Sequence, residues 1–377
     1  MRLTKLFSDF FESEKAGGLI LIICTALSLL LANIFIGESY LHFWQMPVFN
    51  HPLEHWINDG LLTIFFLLIG LELEREIYSG ELSTLKSASL PLFGALDGML
   101  VPAFIYYFFN KGLVTQSGFG IPMATDIAFA IGILSLLGSN VPASLKVFLT
   151  ALAVMDDLGA IVVIALFYSS GIVWLNFMIA MSVLLLLFIF NRLKINNIIP
   201  YLIGGVIMWY FMLQSGIHAT ITGVLLAFVL PYGDGEQKSI SYQLQHVLHK
   251  PVAYFILPLF ALANTAVIFN SGWLEGLVLP NNIGVIVGLV MGKPVGILLF
   301  TVFAIAIGAC TLPSDLNWKH ILGAGILGGI GFTMSIFITL LAFDNNSVIV
   351  GTKIAILLAS VLSGALGYLW LKMILKP

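Results

Sequence analysis

The sequence predicts an all-α polytopic membrane protein with about 12 transmembrane helices, inverted repeats and two broken helices. Of its 377 residues, 59% are hydrophobic and 9% are charged, whereas a soluble domain carries about 25% charged residues. The mean hydropathy of +1.04 implies more apolar surface than a soluble protein exposes to water. Glycine, proline and hydroxyl residues also interrupt two of the apolar runs. This composition excludes a soluble enzyme and a disordered chain.

Apolar runs of membrane-spanning length follow one another along nearly the whole chain. A span needs about 20 residues, so twelve spans use about 240 and leave short connectors. We therefore expect one transmembrane domain over residues 1–377, with a short cytoplasmic N-terminal segment over about residues 1–16. The predicted spans cover residues 17–36, 59–80, 88–109, 121–138, 143–168, 175–191, 199–213, 217–231, 250–270, 283–308, 321–343 and 348–371.

Of the 16 basic residues, Lys293 and Lys353 lie inside or at the edge of spans, and the other 14 are unevenly distributed between the two sides. One set of alternate connectors, together with both termini, holds 13 of them, and the opposite set holds only Lys111. Because cytoplasmic loops carry the excess of Lys and Arg, we expect both termini in the cytoplasm. The 13 residues are Arg2, Lys5, Lys15, Arg75, Lys86, Lys146, Arg192, Lys194, Lys238, Lys250, Lys319, Lys372 and Lys376.

Charge and cysteine content narrow the range of partners. The net charge of −3 and the lack of a basic run exclude a nucleic-acid partner. Cys24 and Cys310 both lie in apolar stretches, which argues against a disulfide framework or a thiolate metal site. We expect no cofactor.

Two spans contain residues that break helices. The fourth contains Gly120, Pro122, Thr125 and Asp126, and the eleventh contains glycines and hydroxyls over residues 328–335. Unwound backbone at membrane depth is tolerated only against protein or a water-filled cavity. Either break alone is also explained by a kink or by close helix packing. However, each is the second helix in a group of three, the matching positions of an inverted repeat, and that pattern points to a transporter site.

Asp156 and Asp157 lie in the middle of the strongly apolar fifth span. An ionised carboxylate there costs at least several kcal/mol unless it is hydrated, paired or protonated. Successive helical residues point about 100° apart, so one carboxylate can face a cavity while the other meets a neighbouring helix. A hard monovalent cation needs oxygen ligands, and a buried carboxylate can exchange a proton for that cation. A helix-packing pair without a transport role is the alternative.

Lys293, in the tenth span, is the basic counterpart of these acids. A buried ammonium seeks a carboxylate, and the simplest partner is Asp156 or Asp157. Neutralising the helix ends at a break is a second, compatible role. Asp126, with Thr125 in the fourth-span break, faces the partial charges of half-helix ends. For Asp126 we expect charge compensation rather than direct ligation of a cation.

Weaker polar signals lie nearer the ends of the spans. Glu72 and Glu76 share a helix face, and we favour a cytoplasmic cation funnel over a solvated helix end. His218 follows a tight turn, where it is either a structural group or a pH-responsive one. His246 and His249 share a face at the start of the ninth span and are candidates for sensing pH.

Together these motifs resemble the NhaA family of bacterial sodium/proton antiporters. The resemblance covers nearly the whole chain, from about residue 10 to the end. It rests on Asp156-Asp157, Thr125-Asp126, Lys293 in Gly-Lys-Pro, His218 in Gly-Ile-His-Ala-Thr, and the runs over residues 56–60, 70–76 and 329–335.

The resemblance implies a twelve-helix fold in which the broken fourth and eleventh helices cross near the bilayer centre. It implies that Asp156 and Asp157 form the cation and proton site, with Asp157 the principal cation ligand. Lys293 is then expected to pair with Asp156 in the cation-free state, and Thr125 and Asp126 are expected at the crossing.

The resemblance also links Glu72, Glu76 and His218 to a cytoplasmic funnel and a pH response. The chain departs from the family where the ninth helix starts, because Tyr242, Gln243 and Gln245 stand where a glutamate and basic residues are usual. His246 and His249 remain. We expect transport to survive this departure, and we do not transfer the pH threshold or steepness of the family to this chain.

These observations predict an electrogenic sodium (lithium)/proton antiporter that works by alternating access and serves pH and sodium homeostasis. We expect a multi-pass homodimer in the lipid bilayer of the bacterial inner membrane, with Na+, Li+ and H+ as transported ions. The protein is expected to be a transporter rather than an enzyme. The alternatives are a passive cation channel and an intramembrane aspartyl protease, although the Gly-x-Gly-Asp signature of such proteases is missing around Asp126, Asp156 and Asp157.

Overall fold

The computed structural model describes residues 5–80, 83, 85–169, 171–233, 239–269 and 272–375. Residues 1–4 of the predicted N-terminal segment lie outside this part of the chain. Most of the described chain is helical, and its two strands, Pro47–Val48 and His51–Pro52, form one short antiparallel pair.

Twelve helical segments follow the order of the predicted spans. They are α1 (Lys5–Leu30, continuing as a π-helix over Leu31–Phe35), α2 (Leu53–Tyr78), α3 (Leu85–Asn110), α4 (Val114–Met123 and Ile127–Ser135), α5 (Ala143–Phe167), α6 (Trp174–Arg192), α7 (Ile198–Leu213), α8 (Ile221–Ala227), α9 (Ile240–Asn264), α10 (Pro280–Ala306), α11 (Trp318–Gly328 and Phe332–Ala342) and α12 (Asn346–Ile374). Short helices also cover Glu38–Trp44, Gly138–Asn140 and Trp273–Gly276.

The number of spans is roughly consistent with the twelve predicted. Among the described residues, eight helices are long and apolar enough to cross a membrane, and α4 and α11 bring the number to ten when each bent pair is counted as one span. The remaining two, α7 and α8, are shorter. The helix predicted over residues 217–231 is reduced to the seven residues of α8, because turns occupy its start after Gly216, whose φ is +80°, and its end before Pro231.

The chain divides into two compact units. The first consists of Met1–Phe43, Thr84–Ala160 and Ala261–Pro377. Within it, α10 packs along α3, α1 along α4, and α12 along α11. Glycines allow the α1–α4 contact, since a side chain on Gly18 would collide with the backbone of Ala128 and Gly132.

The second unit consists of Trp44–Ser83 and Ile161–Phe260. Within it, α8 and the first part of α9 pack on α2, and α6 packs on α7. Its buried core includes Leu71, Leu187, Tyr201 and Met208. Large apolar side chains on both units are also exposed, such as Phe104 at 69% and Leu175 at 71%. An outward apolar surface of this kind suits a lipid environment.

Candidate functional site

The break in α4 separates a 3-10 helix from an α-helix. The first half ends at Met123, Ala124 is extended (φ −83°, ψ 152°), and the second half begins at Ile127. The two axes differ by 42°. Pro122, inside the 3-10 half and two residues before the extended Ala124, lacks the backbone N–H that an α-helical hydrogen bond requires, which disfavours a regular α-helix at this point.

The break in α11 falls between Gly328 and Phe332, and its two halves differ in direction by 45°. Gly329 is required there, because a Cβ on it would collide with the Leu289 carbonyl and would lie 2.6 Å from Ser363 Oγ. Leu289 belongs to a π-helical stretch of α10, Gly288–Gly292, that leads directly to Lys293. The break therefore lies against the part of α10 that carries the buried lysine.

The two breaks bond to each other. The Asp126 backbone N–H donates to the Ile330 carbonyl at 2.6 Å, and the Ser335 hydroxyl donates to the Ile121 carbonyl at 2.7 Å. These bonds satisfy backbone groups that each half-helix leaves open, as the membrane interior requires.

Asp126 stands at the beginning of two half-helices. Its Oδ1 accepts the Phe129 backbone N–H at 2.9 Å, and its Oδ2 accepts the Thr333 backbone N–H at 3.0 Å and hydroxyl at 2.6 Å. The side chain thus places a negative charge at the positive ends of two helix dipoles. Because both carboxylate oxygens already accept hydrogen bonds, this geometry suits charge compensation.

Asp156 and Lys293 form an ion pair that is completely buried, with both side chains 0% exposed. The Lys293 Nζ donates to Asp156 Oδ2 in a short hydrogen bond and to Thr125 Oγ1 at 3.0 Å. Thr125 Oγ1 lies 2.7 Å from Asp156 Oδ2 and 2.8 Å from the Gly328 carbonyl oxygen. A hydroxyl has one proton to give, so Thr125 donates to only one of these two oxygens at a time.

The other carboxylate oxygen of Asp156, Oδ1, has different surroundings from Oδ2. Among the described residues, Oδ1 has no hydrogen-bond partner, and it faces Gly98 on α3, at 3.8 Å from the position of a Cβ on that glycine. Asp157, the next residue on α5, is 2% exposed and interacts electrostatically with Lys293. One ammonium and two carboxylates therefore share a site from which bulk water is excluded.

A second polar cluster lies within the other unit. Glu72 Oε1 on α2 is 3.3 Å from His249 Nε2 on α9, with both side chains below 10% exposed, and the Gln245 side chain interacts with Glu72. One turn further along α2, Arg75 and Glu76 form an ion pair at 2.9 Å.

The two remaining histidines of interest have other contacts. His218 Nε2 is 2.9 Å from the Tyr168 carbonyl, and the ring also interacts electrostatically with Asp59. His246 is exposed and its ring stacks on Tyr242 with the centroids 6.5 Å apart. Of the two ninth-span histidines, it is His249 that lies within ion-pair distance of Glu72.

Sequence reasoning missed several participants. The Gly328 carbonyl has no signature in a sequence, and Thr333 and Ser335 stand out only as hydroxyls that follow a glycine run. Gln245 is buried, with 2% of its surface exposed. In the sequence it stands out only as a residue that differs from those usual in the family. Within the described part of the chain, no group of three or more His, Cys, Asp or Glu side chains is arranged to hold a metal ion.

Comparison with known proteins agrees with this architecture. The family model described as Na+/H+ antiporter 1 matches residues 8–371. The chain is 63% identical to Na(+)/H(+) antiporter NhaA 1 of Flavobacterium johnsoniae, covering 100% of this chain and 98% of that protein. It is 61% identical to Na(+)/H(+) antiporter NhaA of Flavobacterium psychrophilum, with the same coverage.

A solved structure supports the fold. The sodium proton antiporter MjNhaP1 of Methanocaldococcus jannaschii is similar over 98% of this chain and 100% of that one, with a TM-score of 0.52 and 16% identity. At this identity the similarity concerns the fold alone. The family resemblance inferred from the motifs is confirmed, and the chain belongs to the Na+/H+ antiporter 1 family.

Proposed function

We propose that this protein exchanges Na+ or Li+ for H+ across the bacterial inner membrane, with Asp156 and Asp157 as the shared cation and proton site. The observation that carries the proposal is the completely buried Asp156–Lys293 pair beside Asp157, at the junction of two broken helices. The names of its relatives support the choice of ions.

Charge balance explains why the two ions compete. The Asp156–Lys293 pair is neutral as a whole, so the net charge of the site depends on the state of Asp157, which also interacts with Lys293. A buried site strongly disfavours an uncompensated charge, so Asp157 binds either a proton or a monovalent cation. Because both ligands use the same oxygens, exchange follows without a separate coupling device.

Electrogenic exchange requires a second proton. We assign it to the Asp156–Lys293 pair, which gives up a proton when its bond opens and Asp156 turns to the cation. Before the pair opens, Asp156 Oδ1 is the oxygen that can contact the ion, because Oδ2 accepts from Lys293 and Oδ1 has no hydrogen-bond partner among the described residues. Two protons per cation move one net charge, on which the membrane potential acts with about 2.3 kcal/mol per 100 mV.

The remaining polar residues are given supporting roles. Asp126 and Thr125 hold the two breaks together, so that the site opens alternately to the two sides without unfolding the half-helices. Glu72, Glu76, His218, His246 and His249 are assigned to a cytoplasmic funnel and a pH response. In the proposal, one transport domain over residues 1–377 has both termini in the cytoplasm and works as a homodimer.

The test is sodium-driven proton movement in proteoliposomes. An imposed Na+ gradient should move protons in the opposite direction, with a rate that increases when the membrane potential favours inward positive charge. Asp157→Asn should abolish this movement, whereas Asp315→Asn, a change at an exposed loop position, should leave it unchanged. Sodium flux without proton movement would indicate a channel, and absence of both at every pH would refute the proposal.

A further inference from the structure

Thr150 is a buried hydroxyl on α5 that the described contacts leave without a hydrogen bond. Its side chain is 6% exposed, and Oγ1 has no partner among the described residues. A buried polar group without a hydrogen-bond partner is unusual in a folded protein. One explanation is that a water molecule or an ion binds to it transiently.

Other buried threonines of this chain show what Thr150 does not do. In five of them the hydroxyl donates to the carbonyl four residues earlier in the same helix, a common arrangement for threonine in apolar helices, whereas Thr125 and Thr333 bond to other segments and Thr222 Oγ1, like Thr150 Oγ1, has no partner among the described residues. This bond occurs at 2.6–2.8 Å in Thr25, Thr265, Thr301, Thr339 and Thr352. Thr150 lies well inside α5, where the Lys146 carbonyl is the equivalent acceptor, and yet this bond is not made.

The position of Thr150 on α5 relates it to Asp157. Seven residues separate the two, which is nearly two full turns, so they lie on the same face about 10 Å apart along the helix axis. Lys146, one turn before Thr150, and Ala153, between Thr150 and Asp157, belong to the same stripe. The stripe therefore runs from half-buried Lys146 through a hydroxyl and a small side chain to the buried carboxylate.

The neighbouring face of α5 is already occupied. Leu152 would lie 3.2 Å from a Cβ on Gly94 of α3 and 3.7 Å from one on Gly328 of α11, and Asp156, one turn later on this face, binds Lys293. That face is packed against protein. The stripe is also buried, with Ala153 at 0% and Asp157 at 2% exposed, but it carries an unpartnered polar atom, Thr150 Oγ1, between Lys146 and Asp157.

We propose that Thr150 is an access residue, whose hydroxyl oxygen replaces water around Na+ or Li+ as the ion passes from the Lys146 end of α5 to Asp157. A small cation that enters an apolar passage must exchange hydration oxygens for protein oxygens, and Thr150 offers one about halfway. This inference rests on the proposed function, since it takes Asp157 as the destination.

The experiment compares Thr150→Val with Thr150→Ser in membrane vesicles of both orientations. Valine keeps the shape and removes the hydroxyl, whereas serine keeps the hydroxyl. Thr25→Val is the matched control, because its hydroxyl is bonded to the Leu21 carbonyl. Initial antiport rates are measured against Na+ and Li+ concentration, and the thermal midpoint is measured on purified protein.

We expect Thr150→Val to lower kcat/KM for Na+ about tenfold when the ion is presented at the face that carries Lys146, with kcat preserved. Presentation at the opposite face should give wild-type values, as should Thr150→Ser and Thr25→Val at both faces. The thermal midpoint of Thr150→Val should stay equal or rise, because an unpartnered buried hydroxyl is removed.

Three results would overturn the inference. They are an unchanged kcat/KM in Thr150→Val, an equal loss at both faces, or a loss accompanied by a lower thermal midpoint, which would indicate a packing role. Failure of the proposed function looks different, because the wild-type protein would then show no sodium-dependent proton movement in either orientation.

Discussion

Replacing Lys293 by Met isolates the role of the buried ion pair. Methionine has about the length of the aliphatic stem of lysine and lacks the charged ammonium. In the variant, Asp156 keeps its contact with Thr125 but loses the ammonium that balances it. The carboxylate must then be buried uncompensated or take up a proton, and both outcomes are measurable.

The magnitude follows from burial. Removing one member of a buried ion pair typically costs 3–5 kcal/mol, and both side chains are here 0% exposed. Unfolding entropy of about 2.1 cal/mol/K per residue, measured on soluble proteins, gives about 0.8 kcal/mol/K for a chain of 377 residues. We therefore expect the thermal midpoint to fall by roughly 4–6 °C at alkaline pH, where Asp156 is ionised.

The assay is a thermal unfolding series in detergent solution over a range of pH. The deficit should shrink as the pH is lowered, because protonation of Asp156 removes the uncompensated charge. The double variant Asp156→Asn with Lys293→Met should recover most of the stability at alkaline pH. Lys111→Met, at an exposed connector position, serves as the control for loss of a lysine.

A Lys293→Met midpoint within 1 °C of wild type at every pH would refute the reasoning. So would a deficit that the double variant does not relieve, because the loss would then come from packing of the lysine stem.

Two further predictions concern the helix ends and the second cluster. Asp126→Asn should lower the thermal midpoint by roughly 1–4 °C at all pH values, because an amide nitrogen cannot accept the two hydrogen bonds from Thr333; an unchanged midpoint would contradict the double-cap role. A double-mutant cycle with Glu72→Gln and His249→Gln should give a coupling of about 1 kcal/mol at the pH where the carboxylate is ionised and the imidazole protonated, and this coupling should fall both in stronger acid, where Glu72 is neutral, and in alkali, where His249 is neutral. A coupling that does not vary with pH would show that the 3.3 Å contact is not an ion pair.

The parts of the site that could be predicted from the sequence are the residues that are unusual in an apolar transmembrane helix. Asp156, Asp157 and Lys293 are conspicuous because ionised groups are rare in apolar spans. The two helix breaks can be predicted because Pro122 and the glycines over residues 328–331 disfavour a regular helix within an apolar span. Spacing alone also indicates that Asp156 and Asp157 face different directions.

The missing parts depend on tertiary contacts. Nothing in the local sequence says that Thr125 lies between Asp156, Lys293 and the Gly328 carbonyl, or that Asp126 caps a half-helix more than 200 residues later. Likewise, the hydropathy of residues 217–231 indicates a full span, whereas turns at both ends leave only the seven residues of α8.

Competition between Na+ and H+ for Asp156 and Asp157 is tested most directly by counting protons released when Na+ is added to the purified protein. In weakly buffered detergent solution at alkaline pH, Na+ should release protons in a saturable manner, and lowering the pH should weaken the apparent Na+ affinity. Asp157→Asn should release none under the same conditions. Saturable Na+ binding without proton release, or release that persists in Asp157→Asn, would contradict the shared site.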